Sequence, residues 1–123
     1  MEFLGKQIFV EFYDCDESHL NDSNYIGHHM VEAAKHANAT VVQQFFHEFS
    51  PYGVSGTVVI AESHINIHTW PEYGYAAVDI SSCGESLNPF EAIEYLRSKL
   101  KAKKVETNTI NRGALKHIAA LKE

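Results

Sequence analysis

A hydroxyl, two imidazoles and a thiol fall within one short run of the chain, VIAESHINIHTWPEYGYAAVDISSC, as Ser63, His64, His68 and Cys83. A serine hydroxyl close to a base can attack a carbonyl, and the carbonyl nearest to Ser63 is that of Glu62 in its own backbone. Such self-attack needs a strained turn, a base and a group that stabilises the acyl oxygen. His68 is a candidate base, and Ser55 a nearby hydroxyl if the strands form a meander. The plainer reading of Ser63 is a turn serine, and the spacing alone does not decide between the two. Cys83 is either a core thiol or a proton donor to a substrate carbon, provided that it stays protonated. His64 and His68 are four apart on a strand, too far for easy chelation of one ion. A third ligand such as His47 or Cys83 would be required, so no metal site is assigned. Phe49, Trp70 and Tyr73 lie in or beside turns, where aromatics fill the core or stack on a flat cationic or purine-bearing ligand. Cys15 sits among Asp14, Asp16 and Glu17 and should be a poor thiolate. His19, His28, His29, His36 and His117 read as surface residues.

The elements that must position these groups follow from periodicity. His64, Asn66 and His68 alternate with Ile65 and Ile67, and Tyr75, Ala77, Asp79 and Ser81 alternate with Ala76, Val78 and Ile80. Two strands joined by the turn Pro-Glu-Tyr-Gly are predicted, with one face buried and the other free for chemistry. Lys6 to Tyr13 reads as a first strand, and Asp14 to Asn24 as a polar loop. Tyr25 to Ala37 is a helix with Ile26, Met30, Ala33, Ala34 and Ala37 on one stripe. Thr40 to Phe49 and Ser55 to Ala61 are further strands, separated by the turn Ser50-Pro51-Tyr52-Gly53. A second helix starts at Asn88-Pro89, with Glu91 placed as a capping-box carboxylate and Phe90, Ile93, Leu96 and Leu100 as its apolar stripe. Val105 to Ile110 is a short last strand and Ala114 to Lys122 a terminal helix. The order predicts an α+β fold, an antiparallel sheet with helices packed on one face. The other face then needs a cover, for which a second copy is one candidate.

At 123 residues and 45% hydrophobic, the chain is one domain, residues 1–123. Its net charge of −6 argues against nucleic acid or an anionic membrane as partner. The first residues lack the pattern of a signal peptide, and no stretch approaches membrane-spanning length. Two cysteines make no disulfide framework, which points to a cytoplasmic protein with free thiols.

The run FHEFSPYGVSGTVVIAESHINIHTWPEYGYAAVDISSCG strongly resembles the small prokaryotic S-adenosylmethionine decarboxylases. PYGVSG, ESHxxIHTWPEYGYAAxD and the closing Cys-Gly stand in order and at family spacing. The likeness covers nearly the whole chain and fades after about Val105. Ala61 departs from the serine common in the family before Glu-Ser.

The resemblance implies a proenzyme that cuts itself between Glu62 and Ser63 into residues 1–62 and 63–123. Ser63 attacks the Glu62 carbonyl to give an ester, loss of its α-proton expels Glu62, and residue 63 becomes a pyruvoyl group. Ser55 and His68 serve the cleavage, His68 as base for the elimination. The pyruvoyl group, a covalent cofactor, forms a Schiff base with the substrate amine and accepts electrons as carbon dioxide leaves. Cys83 returns a proton to the substrate carbon. Phe49 stacks on the adenine, with Trp70 nearby, and Glu72 accepts hydrogen bonds from the ribose. The implied product is the aminopropyl donor of spermidine synthesis, made by a homodimer of cleaved protomers. Two other readings remain: a relative with the same cofactor that decarboxylates arginine or ornithine, and a non-processing binding or regulatory paralogue.

Overall fold

The computed structural model describes residues 2–83 and 86–120. Its centre is a six-stranded sheet in the order β2-β3-β4-β5-β1-β6, every neighbouring pair antiparallel. The strands are β1 (Phe3–Tyr13), β2 (Val41–Glu48), β3 (Val54–Ile60), β4 (Ser63–Trp70), β5 (Tyr75–Cys83) and β6 (Lys104–Ala114). The helices are α1 (Glu17–Leu20), α2 (Ser23–His36), α3 (Pro89–Leu100) and α4 (Leu115–Ala120). Among the described residues no helix is long and apolar enough to cross a membrane.

Strand alternation sorts the side chains between two faces. Ile8, Val10 and Phe12 of β1, Ile65 and Ile67 of β4, and Ala76, Val78 and Ile80 of β5 point one way and are buried. They meet Ile26, Met30, Ala33 and Ala34 of α2 and Ala92, Ile93, Leu96 and Leu100 of α3 in one core. The predicted α+β class and single helix layer therefore stand. On the opposite face no helix core is built among the described residues, and Phe9, Phe45, Val59 and Ile110 are exposed on it.

Several local expectations change. The polar run after β1 is not a plain loop. Asp16 accepts a hydrogen bond from the His19 N–H at 3.2 Å and caps the single turn α1. Asp22 accepts from the N–H groups of Asn24 and Tyr25, so α2 starts two residues earlier than its apolar stripe suggests. Phe90 is 57% exposed, off the buried stripe of α3, and the Asn88 side chain makes no capping bond. The last strand is longer than predicted because it pairs with β1 almost end to end. The terminal helix spans Leu115–Ala120, and the predicted extension to Lys122 lies outside the described residues.

One buried polar group ties the layers together. The Thr69 hydroxyl accepts from the Val54 N–H and donates to the Leu20 carbonyl, both at 2.8 Å. It thereby pins α1 to the β3–β4 hairpin beside His68 and Trp70.

Candidate active site

Ser63 opens β4, where strand parity groups it with Ile65 and Ile67 on the helix side. Its φ of +151° breaks that parity. This conformation favours glycine, and holding another residue in it costs on the order of 1–3 kcal/mol. The hydroxyl is turned to the open face, 3.0 Å from Ser81 Oγ and 3.4 Å from His64 Nδ1. The preceding carbonyl is held from the neighbouring strand. Glu62 O accepts from the Cys83 N–H and from the Cys83 Sγ–H, each at 3.1 Å. Two donors on one carbonyl oxygen form the arrangement that stabilises an oxyanion when that carbonyl is attacked. The Glu62 side chain is anchored separately, Oε1 accepting from the Thr40 N–H at 3.2 Å. β1 runs close by: a Cβ on Gly5 would stand 2.6 Å from Ser82 O, so only glycine fits opposite Cys83.

Ser55 and His68 lie elsewhere. They face each other across β3 and β4, as the meander reading required, with His47 next in line on β2. But His68 is five residues beyond Ser63 on one strand, ~16 Å at the rise of an extended chain. Within one chain His68 cannot reach the Ser63 hydroxyl.

Around His68 the open face is aromatic. Phe49 and Trp70 flank its ring at 5.7 and 4.2 Å, and His47 meets Phe49 at 4.6 Å. Trp70 stacks on Tyr75 and Tyr75 on Tyr13, at 5.1 and 5.5 Å. Lys104 Nζ lies 5.8 Å from the Tyr13 ring centre. Glu72 is exposed in the turn Pro71–Tyr73, at this same end of β4. Thus Phe49 and Trp70 gather with His68, and Glu72 follows in the turn at that end of β4, away from Ser63.

A row of polar side chains joins the two ends. Asn66 Oδ1 accepts from Thr57, and Asn66 Nδ2 donates to Asp79 at 3.2 Å. Gln7 Nε2 donates to the same Asp79 oxygen at 2.8 Å, and Arg112 donates to Gln7 at 3.3 Å. Tyr75 donates to Glu11; burial and that carboxylate hold the phenol above its usual range. Ser81, Gln7 and Arg112 were not singled out from sequence. Ser81 was legible as a same-face neighbour of His64, whereas the β1 and β6 residues needed the strand order. Cys15 is pushed up to about 11, chiefly by burial and then by Asp14, as befits a poor thiolate.

The fold and its open face place the chain in a known architecture. A solved adenosylmethionine decarboxylase from Aquifex aeolicus superposes with a TM-score of 0.84 at 34% identity, covering 92% of this chain and 93% of that one. A Trypanosoma brucei structure, named AdoMetDC-delta26 monomer, shares the fold at 12% identity and a TM-score of 0.62. There 83% of this chain matches 44% of the other. The chain belongs to the S-adenosylmethionine decarboxylase family, which it matches over residues 6–113. Proteins named S-adenosylmethionine decarboxylase proenzyme are its relatives. That of Acidithiobacillus ferrooxidans is 53% identical over 92% of this chain and 85% of its own length. That of Clostridium tetani is 48% identical over 99% and 97%, and that of Thermotoga maritima 50% identical over 92% and 87%.

Proposed function

We propose that this chain is a self-cleaving, pyruvoyl-dependent S-adenosylmethionine decarboxylase that supplies the aminopropyl donor for spermidine synthesis. The observation that carries the reading is the Glu62 carbonyl, held by two Cys83 donors beside a serine at φ +151°. Attack by Ser63 Oγ puts negative charge on the oxygen that Cys83 already contacts. The ester that results lies on a residue whose α-proton is next to be removed. Elimination then releases Glu62 as a carboxylate and leaves residue 63 able to become a pyruvoyl group. That group supplies a ketone electron sink for the loss of carbon dioxide. Cys83 is left beside residue 63, where its thiol proton is available to the substrate carbon.

His68 and Ser55 enter from a second copy. The open face exposes Phe9, Phe45, Val59 and Ile110, an apolar surface suited to sheet-on-sheet burial. A two-fold axis that reverses strand direction sets the His68 end of one copy over the Ser63 end of the other. Each site then draws on both chains: Ser63 and Cys83 from one, and Ser55, His68, Phe49, Trp70 and Glu72 from the other. The aromatic group suits a flat adenosyl moiety bearing a sulfonium cation, and Glu72 suits ribose hydroxyls. A soluble cytoplasmic homodimer fits this reading.

The test is a denaturing mass spectrum followed by an assay of carbon dioxide release. Fragments 1–62 and 63–123, the second with a pyruvoyl mass at its N-terminus, are expected. Carbon dioxide should be released from S-adenosylmethionine and not from arginine or ornithine. A chain that stays intact on long incubation refutes self-cleavage, and release from arginine or ornithine alone refutes the substrate.

A further inference from the structure

The elimination has its base in His68 of a second copy; within the chain that carries Ser63, His68 is ~16 Å away, and the preceding attack has no base assigned so far. We propose that His64 is the catalytic base and acid of the attack step, and that Ser81 positions the nucleophile for it. The inference rests on the self-cleaving reading and assigns roles to two residues of that site.

Among the described residues His64 is the only titratable side chain hydrogen-bonded to Ser63, with Nδ1 3.4 Å from Oγ. Distances of this kind often tighten only as the reaction proceeds. With its proton on Nε2, the imidazole presents a free lone pair at Nδ1. Ser81 Oγ, 3.0 Å from Ser63 Oγ, fixes the rotamer that the positive φ has turned to the open face. Both partners come from facing positions of the same ladder, His64 opposite Ser81.

The step balances without a co-reactant. As Ser63 Oγ bonds to the Glu62 carbonyl carbon, the hydroxyl proton passes to His64 Nδ1. The carbonyl electron pair moves onto Glu62 O, facing the Cys83 N–H and Sγ–H. Collapse of the tetrahedral carbon breaks its bond to the Ser63 nitrogen. That nitrogen keeps the electron pair and takes the proton back from His64. The product is an ester through the Ser63 side chain, with a free amine on the same residue.

The two histidines can be separated by trapping the ester. In a His68→Ala chain the elimination is blocked, so the ester accumulates and hydroxylamine converts it to a Glu62 hydroxamate fragment. Adding His64→Ala is expected to slow hydroxamate formation on the order of 100-fold. His64→Gln, which keeps the polarity but lacks the base, should be as slow. His64 also lines a cavity of about 390 Å³ with Gln7, Cys83 and Arg112, room enough for a small base. Imidazole should therefore restore part of the rate to a His64→Gly chain, which a merely structural role does not predict. Ser81→Ala should slow the same step, with recovery in Ser81→Thr. Hydroxamate formed by the His64→Gln/His68→Ala chain at the rate of His68→Ala alone overturns the assignment. A wild-type chain that yields neither fragments nor hydroxamate overturns the self-cleaving reading itself.

Discussion

If each site is shared between two copies, neither a Ser63→Ala chain nor a His68→Ala chain should mature alone, but their mixture should. The Ser63→Ala chain has no nucleophile. The His68→Ala chain keeps Ser63, the Cys83 donors and His64, and lacks only the base that reaches it from outside. The structure sets the scale. His68 is five residues from Ser63 on one strand, ~16 Å, while proton transfer needs contact within about 3 Å. No rotamer spans that difference, so the imidazole of the same chain contributes nothing to its own Ser63. Losing a positioned base costs roughly 10²–10⁴-fold in rate. Co-refolding equal amounts of the two variants with different affinity tags places about half of the His68→Ala copies opposite a Ser63→Ala partner. Those copies should be cut after Glu62, and the Ser63→Ala copies never. Gel bands and intact masses, read on the doubly tagged fraction, report the outcome. If mixed dimers form yet the His68→Ala copies stay whole, the shared-site reasoning fails. Cleavage of His68→Ala alone at the wild-type rate would refute it more directly.

Other perturbations test separate parts of the argument. A Cβ at Gly56 would meet Phe46 Cδ1 at 2.0 Å, so Gly56→Ala should destabilise the fold by about 1–3 kcal/mol in urea unfolding. Cys83→Ala removes one of the two donors on Glu62 O and should slow cleavage by roughly 10²-fold, whereas Cys83→Ser keeps a donor and should still be cut. His29 is held below its usual range, first by burial and then by His28 and Lys99. The unfolded state thus binds the proton more readily. Stability should be full above the ordinary histidine range and fall as pH drops through it towards the lower folded value. Melting temperature against pH should show that fall, and His29→Gln should flatten it.

Much of the frame was legible from period alone. The alternation Ile65, Ile67 against His64, Asn66, His68 assigned both faces of β4, and the stripe from Ile26 to Ala37 gave the buried side of α2. The same counting already contained the separation of Ser63 from His68 along β4. Ser63 itself defies the alternation: parity sends it inward, and only its backbone torsion turns it outward. No residue type announces that torsion, since a non-glycine there is held by its surroundings. Helix α1 escaped because a single turn has no period, and Asp16 reads equally as loop. Phe90 was counted into the core on spacing, yet it opens the helix where the chain is at the surface.

The strand order carries one more consequence. Residues 1–62 supply β1, β2 and β3, and residues 63–123 supply β4, β5 and β6. In the order β2-β3-β4-β5-β1-β6 these two sets interleave, with β1 threaded between β5 and β6. A cut after Glu62 opens the tip of one hairpin and leaves three ladders, β3–β4, β5–β1 and β1–β6, running between the pieces. The halves could not drift apart by a hinge or a sliding motion; separation requires the sheet to come undone. A matured molecule would then unfold as a bimolecular event, with a melting point that rises with protein concentration. Such a scission would complete the site and remove the covalent link through which the chain first folded.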